Sequence, residues 1–126
     1  MKGYIFRCND KTIKEVFERQ LFGDEIIYVS TVKTIEPKDR LFLYNLSTFE
    51  FSGPYAPNGE GGSRLVPAAW KAKFPAQIKF KLLPETRTIP FNRIEKIIKI
   101  YHKCMFLDML LDEIQTSEIM QLMLEN

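Results

Sequence analysis

Apolar and polar residues alternate with a period of two in some stretches of the chain and with a helical period in others, and these two periods predict most of its elements. In GYIFRCN (3–9), Tyr4 and Phe6 share one face of a strand and Ile5 and Arg7 the other. Asn9 or Asp10 is placed to cap a helix that begins near Thr12. In it Ile13, Val16, Phe17 and Leu21 recur at helical spacing, and Gly23 is expected as the C-terminal cap. The β-branched run 26–35 (IIYVSTVKTI) reads as a strand or an extended crossing segment. A turn at 36–39 leads to a buried strand, LFLYNLS (41–47), which a tight connection at Ser47 and Thr48 joins to FEFSGPY (49–55).

Residues 57–67 (PNGEGGSRLVP) predict a long flexible loop, and residues 67–70 one helical turn. FPAQIKFK (74–81) then alternates strictly, with Lys79 and Lys81 ending its polar face, directly after the only tryptophan, Trp70. Residues 84–88 predict a turn. Pro90 opens a helix whose apolar face is Ile94, Ile97, Ile98 and Tyr101. Two amphipathic helices are expected at 105–112 and 116–125. The predicted order is β-α-β-β-β-β-α-α, an α+β fold with a small mixed or antiparallel sheet curled into a barrel.

Length fits one domain: residues 1–103 as its body and 104–126 as C-terminal helices packed on it. No run of 18 apolar residues occurs, so no membrane association is expected. The start has no apolar signal region, and Cys8 and Cys104 have no metal-ligand or redox spacing. A disulfide between them stays open, but buried free thiols in a reduced, cytoplasmic protein are the expectation.

Charge changes the picture more than composition does. Residues 1–59 hold 8 Lys/Arg and 8 Asp/Glu, residues 60–103 hold 10 and 3, and residues 104–126 hold 0 and 5. A basic block inside a folded domain suits an anionic partner such as nucleic acid. Catalytic signals are missing. His102 is the single histidine, and no phosphate-loop, HExxH or GxSxG pattern occurs. Neither an enzyme nor a cofactor is therefore expected.

Six blocks occur in one order: GYIFRCN (3–9), ERQLFG (18–23), LFLYNLST (41–48), GEGGS (59–63), PAAW (67–70) and FPAQIKF (74–80). Over residues 3–81 this set resembles the DCD (development and cell death) domain family, which is associated with protein partners. The wider plan to Tyr101 is similar to PUA-like domains of the EVE and YTH type: a capped helix ending in an aromatic turn, an LFLY-type strand pair, then a tryptophan ahead of a basic strand.

That second resemblance implies a PUA-like fold and a non-catalytic module binding RNA or DNA, with a methylated or flipped base held in an aromatic pocket. It places Phe22, Leu65 and Trp70 around the base, Cys8 and Asn9 at its edge, and Asn45 and Ser47 nearby. Leu65 stands where an aromatic is usual. Arg64, Lys71, Lys73, Lys79 and Lys81 would hold phosphates. Each residue also has an ordinary use: Trp70 and Phe22 in a core, Asn9 as a helix cap. The alternative is a protein-interaction module that uses the C-terminal helices, with Met105, Met109, Met120 and Met123 on their apolar face.

Overall fold

The computed structural model describes residues 1–101 and 108–125. Its strands are β1 (Gly3–Cys8), β2 (Leu21–Asp24), β3 (Arg40–Asn45), β4 (Glu50–Pro57), β5 (Gly62–Ser63), β6 (Ala76–Pro90) and β7 (Leu110–Leu111). They order as β2-β6-β4-β3-β1-β7, with β5 paired to β6. β1 and β3 run parallel and the other pairs antiparallel. Helices α1 (Ile13–Arg19), α2 (Val29–Val32), α3 (Glu95–Tyr101) and α4 (Glu113–Leu124) flank the sheet. The fold is α+β, a curled half-barrel sheet with helices, as expected.

Strand alternation divides the core between two faces of the sheet. Tyr4, Phe6, Leu41 and Leu43 join Phe22, Phe80, Trp70 and Val16 on one face. Ile5, Phe42 and Tyr44 join Phe51, Ile89, Ile98, Ile119 and Met123 on the other. Each large apolar side chain so buried contributes about 1.5–3 kcal/mol. α4 starts at a reciprocal cap: the Gln115 amide donates to Asp112 Oδ1 (2.7 Å) and the Asp112 amide to Gln115 Oε1 (3.0 Å).

Several local expectations are corrected. The run 26–35 is not a strand. Residues Ile26–Tyr28 form a 3-10 turn that continues into α2. Val32 is buried while Ile26 and Ile27 stay exposed, so the run serves as a cap over the first core cluster. α1 ends at Gln20, not Gly23; Gln20 takes the left-handed conformation (φ 48°, ψ 51°) and donates its amide to the Val16 carbonyl.

The glycine-rich segment is not simply loose. Gly62 and Ser63 pair with Gln77 and Ala76, and a Cβ at Gly61 would meet the Val32 carbonyl oxygen at 2.1 Å. The turn expected at 84–88 is strand: β6 runs from Ala76 to Pro90, with a register shift against β4 between Gly53 and Tyr55.

Residues 108–112 carry β7 rather than helix, and residues 105–107 lie outside the described residues, as do His102 and Cys104. The methionine face of the C-terminal segment is used internally. Met109 and Met123 are buried and Met120 packs against the second cluster; Met105 lies outside the described residues. Among the described residues no helix is long and apolar enough to cross a membrane.

Candidate nucleic-acid interface

The residues expected at the base edge do come together, where β1 and β3 run parallel and end side by side. The Leu46 amide donates to the Cys8 carbonyl (2.8 Å) and the Asp10 amide to Ser47 Oγ (3.0 Å). Asn45 is buried. Its Oδ1 accepts from the Ser47 amide (2.9 Å), and its Nδ2 donates to Asp10 Oδ1 (3.2 Å). Asn9 Oδ1 accepts from the Lys11 and Thr12 amides (2.9 and 3.1 Å), the local bonding that opens a helix. The Ser47, Asn45 and Asp10 side chains and the Cys8 carbonyl tie the β1–α1 loop to the β3–β4 hairpin, while Asn9 orders the loop from within.

Cys8 is a free, buried thiol. Burial, with the Asp10 charge adding to it, pushes its pKa from 9.0 up to about 12. Alkylation at neutral pH is therefore expected to spare Cys8 in the folded protein and to modify it in denaturant, as read by mass spectrometry of its peptide. Because the folded value lies above the unfolded one, the thiol costs no stability below about pH 9. Above that, the unfolded thiol ionises first and stability falls towards pH 12.

The aromatic pair is placed differently from expectation. Phe22 is fully buried, stacked on Phe80 (4.0 Å between centroids, 12°) and on Phe6 (5.1 Å, 17°), with Tyr55 at its edge (5.2 Å). It is a core ring and not an open pocket wall, because β2 pairs with β6 and turns Phe22 inward. Trp70 is only 5% exposed. Its indole N–H donates to the Thr12 carbonyl (2.9 Å) and its amide to Glu15 Oε2 (2.8 Å). The six-membered ring lies where a Gly23 side chain would be, 2.3 Å from an ideal Cβ. Gly23 is glycine to admit the indole, not to end a helix. Leu65, by contrast, is exposed.

Trp70, Lys71 and Ala72 hold successive left-handed backbone conformations (φ 49°, 53° and 66°) without a glycine among them. Such residues cost about 1–2 kcal/mol each and persist only where their surroundings hold them. Here the holding groups are Thr12, Glu15 and Gly23. The bond from the Trp70 amide, more than the nearby Arg19 guanidinium, keeps the Glu15 carboxyl below its usual range. The sequence marks Thr12 only as a helix start and Gly23 only as a cap and does not mark Glu15, since it has no linear signal joining them to a residue about 50 positions away.

The bolted turn displays Lys71 and Lys73, both exposed. It runs directly into β6, where Gln77, Lys79 and Lys81 share one face. Lys81 is exposed. Lys79 lies half-buried and its ammonium donates to the Arg19 carbonyl (3.0 Å). The Arg64 amide bonds to the Pro75 carbonyl (2.8 Å), which seats exposed Arg64 beside the start of the strand. Arg7 is held elsewhere: its guanidinium pairs with buried Asp24 (2.8 Å) and lies over the Tyr28 ring. Among the described residues no cluster of three potential metal ligands occurs.

The chain is 43% identical over 84 residues to the DCD domain-containing protein NRP-A of Glycine max, a match over 61% of this chain and 23% of that protein. It is 42% identical to the B2 protein of Daucus carota, over 61% of this chain and 41% of that one. The chain thus matches less than half the length of either relative. Among solved structures, the Mmi1 YTH domain superposes with a TM-score of 0.72 at 12% identity, over 97% of this chain and 94% of that one. The Pho92 YTH domain in complex with m6A superposes with a TM-score of 0.73 at 11% identity, over 98% and 83%. The YTH likeness is one of fold. Residues 2–123 match the profile of the development and cell death domain, and the chain belongs to that family.

Proposed function

We propose that this domain is a non-catalytic module that binds RNA or DNA through the cationic surface of Arg64, Lys71, Lys73, Lys79 and Lys81. The observation that carries the reading is the strained turn at 70–72, bolted by Trp70, which projects Lys71 and Lys73 beside the lysine face of β6. A backbone held in an unfavourable conformation in order to display charge is the kind of feature binding sites retain. The fold adds support, since solved YTH domains of the same architecture include complexes with RNA. In this reading phosphate contact supplies the affinity. A base stacked on Trp70 requires the indole to leave its seat against Gly23, so selectivity for a methylated base is a separate question from binding.

The test is a titration of labelled single-stranded RNA and DNA, methylated and unmethylated, over a series of salt concentrations. Affinity is expected to fall steeply with salt. Lys71→Ala and Lys73→Ala should each lower the slope of log K against log salt by about 0.7, while Lys96→Ala, on α3 over the opposite face of the sheet, should leave it unchanged. Absence of binding at low salt, or a slope unmoved by the two substitutions, would overturn the reading.

A further inference from the structure

The β3–β4 hairpin ends in a feature that the cationic surface does not use. The Phe49 amide closes the turn on the Asn45 carbonyl (2.8 Å), and Phe49 itself is left-handed (φ 60°). Glycine is the usual residue at that place in a short hairpin loop. Phenylalanine is unfavourable there twice over, because its ring is also 64% exposed. The Phe49 carbonyl accepts from the Phe91 amide (2.8 Å), and the Phe91 ring stacks on Tyr44 (4.2 Å between centroids, 17°). Between these rings lies a cleft of about 550 Å³; among the described residues its charged lining is Glu50 and Glu95, and no lysine or arginine lines it. Burial and the Glu95 charge push the Tyr44 hydroxyl up, so the carboxylate field reaches the aromatic floor.

We propose that this cleft docks a cationic side chain, arginine or lysine, carried by a protein partner. A cation over an aromatic face gains from the ring quadrupole, and it gains more beside a carboxylate in a half-enclosed site. The same carboxylates repel phosphate, which separates this cleft from the nucleic-acid reading. The two also lie apart along the sheet: Thr88 pairs with Ser52 and Lys81 with Ala56, four residues away along β4, or about 13 Å at most. The inference therefore stands whether or not the domain binds RNA.

The experiment is amide NMR of the whole chain, titrated with short arginine- and lysine-containing peptides and with the same peptides carrying glutamine instead. Cationic peptides are expected to shift Phe49, Glu50 and Phe91, and glutamine peptides to leave them in place. Phe49→Gly removes the ring and suits the left-handed backbone, so it should melt no lower than the parent while binding cationic peptide about tenfold more weakly. Glu50→Gln should weaken it as well. Equal shifts with glutamine peptides, undiminished binding by Phe49→Gly, or shifts at this cleft from an RNA oligonucleotide and none from the cationic peptides would each overturn the proposal.

Discussion

Phe22→Ala is expected to lower the free energy of unfolding by about 3–5 kcal/mol, measured by urea denaturation followed by circular dichroism. The ring is fully buried among Phe6, Phe80 and Tyr55. Its removal loses transfer energy and leaves a cavity among aromatic rings that β1, β4 and β6 hold in place. Set against a typical total of about 5–15 kcal/mol, that is a large part of the stability of a domain this size. A side chain lining an open pocket would give a much smaller change, so a loss below about 1 kcal/mol would return Phe22 to a binding role.

Trp70→Ala should cost a similar amount, about 3–5 kcal/mol, and should also weaken nucleic-acid binding even where no base stacks on the indole. The substitution removes the bond to the Thr12 carbonyl and empties the space above Gly23. The left-handed turn at 70–72 then relaxes and Lys71 and Lys73 lose their placement. Loss of binding in this variant alone would therefore not establish stacking.

Gly23→Ala separates the two explanations. It keeps the indole but drives it out, since the added Cβ would lie 2.3 Å from the ring. An anchoring tryptophan predicts red-shifted fluorescence together with weakened binding. A stacking tryptophan predicts red-shifted fluorescence with binding retained or improved. Trp70 is the only tryptophan, so its emission reports the seat directly.

Family membership and much of the secondary structure were legible in the linear pattern. Alternation placed Tyr4 and Phe6 on one face and Ile5 on the other, as observed, because a strand buried in a sheet must sort its side chains by twos. The basic polar face of 74–81 was legible for the same reason. The exposure of its residues was not: Lys79 is tied to the Arg19 carbonyl, and Gln77 is buried with its amide spent on the Val66 and Phe74 carbonyls.

The run 26–35 has strand composition and helical structure, since strand propensity expresses itself only where a partner strand is available. β2 and β6 already pair with each other, and what remained for Val32 was burial beneath a short helix. The turn read at 84–88 is strand for the converse reason. Pro84 carries a turn signal, but β4 runs alongside on both sides of it and continues the pairing across a register shift.

By itself, then, the sequence determined the α+β class, the faces of its strands, the basic middle block and the family, all of which depend on neighbours one to four residues away or on composition. Tertiary structure alone decided the use of each aromatic ring. Phe22 became core and Trp70 a bolt, while Phe49 was left in solvent beside two carboxylates. Whether a ring stacks on a partner, on the protein's own chain or on nothing is set by what long-range pairing brings against its faces. Gly23, Thr12 and Glu15 meet Trp70 only after β2 has joined β6 and α1 has closed over them.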